Sequence, residues 1–308
     1  MAFLETALGL SQTALELGLI SALTVLALFL SYSMLNVCDL STDGCFTLGA
    51  AVGAVVALSG HPLLSVPAAM LAGMLSGLIT AFLQTRMGIN SLLSGIIVNT
   101  ALYSVNIAVM GNSSLLNMNK VETVFTKMQD ALSGTFLSGQ YKLIVALIAV
   151  AFTVVFLSLF LKTRLGLAIR ATGNNPDMVR SSSINPVFTT TVGLCIANAF
   201  TALSGCLLAQ SQKSVSIDIG QGMVTVALAS LLMGTVFLNR RGVSLQAIGA
   251  VIGAIVFRLI YTIALRFDMP ASMLKLVSSV IVIIAISGPY LKKQLPTILR
   301  RFRTKEGK

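Results

Sequence analysis

QYKLIVALIAVAFTVVFLSLFL, residues 140–161, contains one lysine and no acid. Its apolar residues run on without the every-second-residue alternation of a membrane barrel strand. As a helix rising about 1.5 Å per residue, such a run covers the roughly 30 Å of bilayer hydrocarbon. Comparable runs lie on either side of it, at 13–35, 42–58, 63–83, 91–110, 187–209, 220–238, 243–265 and 271–291. The expected fold is therefore all-α: a polytopic transmembrane helical bundle of about nine spans, eight to ten, filling residues 1–308 as one membrane domain.

Composition agrees. Of 308 residues, 56% are hydrophobic and 10% charged, whereas about a quarter are charged in ordinary soluble domains. With only 21 Lys+Arg and 10 Asp+Glu, the chain cannot clothe a water-facing surface, so its principal surroundings are a lipid bilayer. The net charge of +11 sits in loops and tail, a distribution that argues against nucleic acid as a partner. Residues 1–12 carry no Lys or Arg, and no A-x-A site follows the first apolar run, which is expected to remain in the mature protein behind an outer N-terminus 1–12. Cys38, Cys45, Cys195 and Cys206 are scattered without C-x-x-C spacing, so they read as packing residues and no metal is expected.

Arg86, Lys162, Arg164, Arg170, Arg180, Arg240, Arg241 and a basic tail at 292–308 fall on one side of the expected spans. Only Lys120, Lys127, Lys142, Lys213 and Arg266 fall on the other. Basic residues are retained in the cytoplasm, which places the C-terminus inside and, with an odd number of spans, the N-terminus outside. Lys275 lies near an outer boundary, within snorkelling reach of water. Gly49 and Gly53, Gly73 and Gly77, and Gly249 and Gly253 form small-x-x-x-small pairs, which predict close helix packing.

Polar side chains at membrane depth face protein or a watery cavity. Asn99, Tyr103 and Asn106 share one helix face; Asn198, Thr201 and Gly205 share another. Either the two stripes line a path or they bond helices together. The short span 42–58 follows NVCDLSTDG, too polar for lipid and therefore irregular backbone within protein. Asn36, Asp39, Thr42 and Asp43 surround this break. They serve either a helix start, with Ser41 or Thr42 as cap, or a translocation route along a discontinuous helix. Arg258, about two turns inside its span, pairs with Glu16, Asp218 or Asp268 or else snorkels.

KTRLGLAIRATGNNPDMVRSSSIN, 162–185, forms the longest inner loop. Asn175 as N-cap, Pro176 at the first helical position and Asp177 in the first turn predict a short helix from Pro176 to Ser183 that offers a docking surface. No G-x-x-x-x-G-K-[ST] occurs, so the chain lacks a Walker A nucleotide loop. A single histidine, His61, precludes H-E-x-x-H chemistry, and no G-x-S-x-G is present; nothing marks an enzyme, and no cofactor is expected.

Several segments together resemble the permease subunits of ABC importers of the branched-chain amino acid and simple sugar group, over about residues 15–290. DLSTDGCFTLGAAVGA (39–54) looks like the entry to that family's second core helix, and ATGNNPDMVRSSSIN (171–185) like its coupling loop, here 162–186. IGQGMVTVALASLLMG (219–234), followed by RRGVSLQAIGAVIGA, resembles the Gly-rich later helices. GINSLLSGIIVNTALYSVNIAVMG (88–111) is similar to a narrower branch paired with binding proteins of the tryptophan type. The loop departs from the pattern where Ser182 or Ser183 stands in place of the usual Gly before Ile184.

The resemblance implies a permease without its own ATPase activity in a bacterial cytoplasmic membrane, importing an amino acid, aromatic by the narrower branch. It implies as partners two cytoplasmic ATPase subunits, an extracytoplasmic binding protein or lipoprotein, and a second permease copy. Arg170, Ala171, Thr172, Gly173, Asn174, Asn175, Pro176, Asp177 and Arg180 would couple to the ATPase. Asn36, Asp39, Thr42, Asp43, Asn99, Tyr103, Asn106, Asn198 and Thr201 are the pathway candidates. A permease for a sugar or nucleoside, an ion-coupled secondary transporter using Asp39 and Asp43, and a non-transport membrane protein are the competing readings.

Overall fold

The computed structural model describes residues 2–133, 138–238 and 242–265, with the isolated positions 276, 279, 280, 283 and 287. Helix α1 (Ala2–Leu28) continues into a π-helical segment, Phe29–Met34. There follow α2 (Thr42–Leu58), α3 (Ser65–Thr85), α4 (Ser91–Val109), a short strand β1 (Leu115–Asn117) and α5 (Val124–Ala131). A 3-10 turn, Ser138–Gln140, leads into α6 (Tyr141–Phe160), then α7 (Arg164–Asn174), α8 (Pro176–Ser181) and α9 (Pro186–Gln212). Strand β2 (Ser214–Ser216), α10 (Met223–Leu238) and α11 (Val243–Leu265) complete the described order.

Among the described residues, six helices are long and apolar enough to cross a membrane: Gln12–Met34, Ser65–Thr85, Ser91–Val109, Tyr141–Phe160, Pro186–Gln212 and Val243–Ala264. Two shorter apolar helices, Thr42–Leu58 and Met223–Thr235, fall on two further expected runs. Helix α2 begins at Thr42, where its run is expected, and is short as that run is, whereas α10 begins at Met223, after the expected start at 220. The 17 residues of α2 rise only about 26 Å, and the chain before α2 and before α10 is turn rather than helix. The expected span 271–291 apart from those isolated positions, the tail 292–308, Arg240, Arg241, Arg266, Asp268 and Lys275 lie outside the described residues.

Three local features differ from the sequence reading. Helix α1 already begins at Ala2 within the expected outer N-terminus. The chain is not wholly α, because β1 and β2 pair antiparallel, Leu116 opposite Val215, and join the segment after α4 to the end of α9. Helix α5 has a capping box in which Thr123 and Thr126 exchange side-chain and backbone bonds.

Helix α9 is the centre of the fold, packed on both α2 and α3. The contact is backbone to backbone because glycines remove the side chains between the helices. A Cβ at Gly49 would collide with Ala202, one at Gly205 with Phe46, and ones at Gly73 and Gly77 with the carbonyls of Asn198 and Leu194. The expected pairs at 49/53 and 73/77 are therefore packing devices, and Gly253 does the same for α11 against Ser230 of α10. The larger apolar core lies on the other side of α9, where Leu23, Leu26, Phe29, Val150, Leu157 and Phe200 are buried. Cys45 and Cys206 are buried and free, as packing residues are.

The α7–α8 segment is built largely as its composition suggests. The Asn175 side chain accepts from the backbone N–H of Asp177 and of Met178, both at 3.1 Å, with Pro176 at N1. Helix α8 ends at Ser181, two residues before the expected Ser183, because Ser183 adopts φ +59°. The N–H of Ser183 then donates to Arg180 O and that of Ile184 to Val179 O, both at 3.2 Å. This is a Schellman closure with serine in the left-handed position that glycine usually occupies. Ser183→Gly removes the left-handed cost of roughly 1 kcal/mol, offset in part by glycine's greater unfolded-state freedom. Hydrogen exchange at the Ser183 and Ile184 amides is expected to slow severalfold; unchanged or faster exchange would refute the assignment.

Candidate functional site

The break between α1 and α2 is organised by Asp39, which is 2% exposed. Asn36, at φ +56°, turns the chain out of the π-helical segment and is itself exposed. One carboxylate oxygen of Asp39 accepts from Ser41 N at 2.8 Å and Ser41 Oγ at 2.6 Å. The other accepts from Asn198 Nδ2 of α9 at 2.9 Å. Thr42 Oγ1 donates to the Asp39 carbonyl at 2.9 Å. Neither Ser41 nor Thr42 caps α2 through its side chain, contrary to expectation, because both hydroxyls are turned back onto Asp39.

Asp43, in the first turn of α2, reaches another helix. Its two oxygens accept from the backbone N–H of Gly222 at 2.9 Å and of Val224 at 2.8 Å. It thus satisfies donors at the start of α10 that an N-terminus leaves without intrahelical partners. Gly222, at φ +85°, makes the turn, and Gly220 lets the backbone pass against Asp43. The starts of α2 and α10 therefore share one carboxylate.

Beside this junction opens a pocket of about 360 Å³, lined by Asp43, Thr47, Asn99, Thr100, Tyr103 and Asn106 together with Gln221. The stripe on α4 supplies three of these residues, as its periodicity suggests. Asn106 is 1% exposed; its Nδ2 donates to Gly44 O at 3.1 Å, while its Oδ1 has no partner among the described residues. The second stripe lies elsewhere. Asn198 is spent on Asp39, Thr201 donates to Ala197 within α9, and Gly205 packs on Phe46. Of the nine pathway candidates, Asp43, Asn99, Tyr103 and Asn106 line the pocket. Asp39, Thr42, Asn198 and Thr201 are buried among helices, and Asn36 stands at a turn. Thr47, Thr100 and Gln221 were not anticipated, though Thr47 lies one helical turn beyond Asp43 and Thr100 follows Asn99.

The coupling candidates also separate. Gly173 has no space for a side chain because Met34 and Leu35 lie against it. Buried Thr172 shares a 2.8 Å hydroxyl contact with Thr189 of α9. Arg170 and Asn174 line a pocket of about 390 Å³ beside Ser33, Met34 and Gln246. Asn175, Pro176, Asp177 and Arg180 are exposed, the last two in a 3.7 Å ion pair at the surface, while Ala171 is half-buried.

Arg258 does not pair with Glu16 or Asp218, which accept from Gln12 and Gln221. Its guanidinium lies 5.3 Å from the Tyr261 ring centroid. Asp268 is outside the described residues.

Residues 12–286 match the family model described as branched-chain amino acid transport system / permease component. The chain is 30% identical over 268 residues to a tyrosine transport system permease protein of Clostridioides difficile (strain R20291), covering 86% of each chain. It is 31% identical over 284 residues to an uncharacterised protein of Rickettsia prowazekii (strain Madrid E), covering 90% of this chain and 96% of that one. Over 192 residues it is 31% identical to the galactose/methyl galactoside import permease protein MglC of Escherichia coli (strain K12), covering 62% and 53%. No solved structure matches. With most of its length inside the family model, this multi-pass membrane protein belongs to the permease components of branched-chain amino acid transport systems, an ATP-binding cassette family.

Proposed function

We propose that the chain is the permease subunit of an importer that carries an amino acid, aromatic in side chain, across a bacterial cytoplasmic membrane. The solute is handed over by an extracytoplasmic binding protein or lipoprotein, and the motion is driven by two ATPase subunits that bind the α7–α8 segment. About nine spans with the N-terminus outside and the C-terminus inside suit the distribution of Lys and Arg. A second copy of the chain completes the path. Exposed Thr100, Tyr103 and Ser104 stand on α4 at membrane depth, where polar groups need a protein or aqueous neighbour.

The observation that carries this reading is the attachment of α7 and α8. Helix α8 is closed by a side-chain cap at one end and a Schellman turn at the other, so it can transmit force as a unit. Helix α7 is set against the end of α1 at Gly173 and against α9 at Thr172. From α9 a direct bond runs to Asp39 at the start of α2. A push on α8 therefore reaches the helices around the polar pocket through packed contacts. The aromatic cargo is supported by the printed name of the Clostridioides difficile relative, a tyrosine transport permease. Polar groups for such a solute are present, including Oδ1 of Asn106, which has no partner among the described residues.

Deletion of residues 174–183 is expected to abolish co-purification with the ATPase while leaving the permease in the membrane. Retained ATPase at wild-type stoichiometry would refute the proposal. The ion-coupled alternative has no observation in its favour, since both oxygens of Asp39 and of Asp43 are already engaged.

A further inference from the structure

A second cavity, about 430 Å³, lies between α1, α10 and α11 and is walled by Ser21, Thr225, Phe257, Arg258 and Tyr261. Gln221 and Gly222 also border it, and Gln221 lines the Asp43 pocket as well, so the two spaces share a wall. Arg258 is placed there by packing: Gly18 of α1 lets the backbone of α11 approach, its added Cβ meeting Ile255 Cα at 3.3 Å and Arg258 Cβ at 3.5 Å.

A guanidinium presents five N–H donors and remains charged, so enclosure within a bilayer calls for an acceptor. The Tyr261 ring offers attraction to the charge but no acceptor for that fork. Among the described residues Arg258 makes no ion pair and its side chain no hydrogen bond, and no carboxylate lines the cavity. Asp43, on the far side of the shared wall, has both oxygens on α10.

We infer that this cavity is a carboxylate-binding site, in which Arg258 receives the carboxylate of the transported solute and Tyr261 and Phe257 flank its apolar part. The inference rests on the reading of the chain as an amino-acid permease and adds the feature by which the membrane subunit itself would tell an amino acid from a neutral sugar. Planar, two-pronged guanidinium–carboxylate recognition supplies the discrimination.

The protein contains no tryptophan, so indole emission reports a bound probe without protein background. Full-length permease in phosphatidylcholine vesicles is titrated with L-tryptophan, indole-3-propionate, which keeps the carboxylate but lacks the amine, and tryptamine, which lacks the carboxylate. Saturable spectral change is expected for the first two, with tryptamine weaker by tenfold or more, the scale of a lost charge-assisted hydrogen bond. Arg258→Gln should erase the difference between indole-3-propionate and tryptamine, and Arg258→Lys should keep part of it. The wild-type comparison stands even if the glutamine variant fails to fold. Equal binding of tryptamine, no saturable binding of any probe, or loss of L-tryptophan binding when phosphatidylglycerol replaces phosphatidylcholine would overturn the assignment, the last by giving Arg258 to an anionic lipid headgroup. No ATPase is present in this titration, so its outcome is separate from that of the 174–183 deletion.

Discussion

Asp39→Asn and Asn198→Asp are each expected to destabilise the folded permease by about 2 kcal/mol, and the double exchange to recover most of that loss. In the wild type the Asp39 carboxylate accepts from Ser41 on one oxygen and from Asn198 Nδ2 on the other. An amide at 39 can still face Ser41 with its oxygen, but its NH₂ then meets the NH₂ of Asn198, leaving two buried donors opposed. Aspartate at 198 opposite Asp39 sets two carboxylates face to face. With Asp39→Asn and Asn198→Asp combined in one chain, each donor has an acceptor again. The check is a double-mutant cycle on thermal unfolding in detergent, which isolates the pairwise coupling. If the double variant lost as much stability as the two singles combined, the Asp39–Asn198 bond would not be what seats α9 on the start of α2.

The second large effect is expected at Gly49. Glycine to alanine in an exposed helix ordinarily gains about 1 kcal/mol of propensity. At Gly49 the new Cβ would lie against the backbone of Ala202, which has no rotamer with which to move aside. Overpacking costs of about 1–3 kcal/mol then outweigh the gain, so Gly49→Ala should lower stability and Gly49→Val should prevent assembly of α2 with α9. Gly139→Val serves as the control, since nothing lies within 4 Å of a Cβ there. The readout is the monodisperse fraction and melting temperature after solubilisation. A Gly49→Val protein that matched the control would show that α2 and α9 are not in backbone contact.

What was legible in the sequence was what depends on neighbours in the chain. Unbroken apolar runs located eight described helices to within a few residues at every end except the start of α1, and the spacing of Asn99, Tyr103 and Asn106 put them on one wall. The Asn175-Pro176 start of α8 was equally local. What escaped depends on partners distant in sequence. Nothing near Asp43 announces that its carboxylate caps a helix some 180 residues later in the chain, nor does anything near Asn198 show that it closes the turn at Asp39 rather than facing a path. The strands β1 and β2 have three residues each, too few for a period of two to emerge from an apolar background. The sequence marks Ser182 or Ser183 as the departure from a glycine pattern, but only the backbone shows that it is Ser183 that takes up the glycine conformation.

The wide turn at Phe29–Met34 has a consequence for chain length. A π-helical stretch accommodates residues in excess of regular α-helical winding, and each α-helical residue turns the chain about 100°. Removing a single residue between 29 and 34 would let the stretch relax toward ordinary winding and swing Met34 and Leu35 around the axis, away from Gly173 and Gly193, against which they now sit. Relatives of this chain should therefore tolerate substitutions in these six positions far better than a one-residue deletion, unless a matching change reseats α7 and α9 against them.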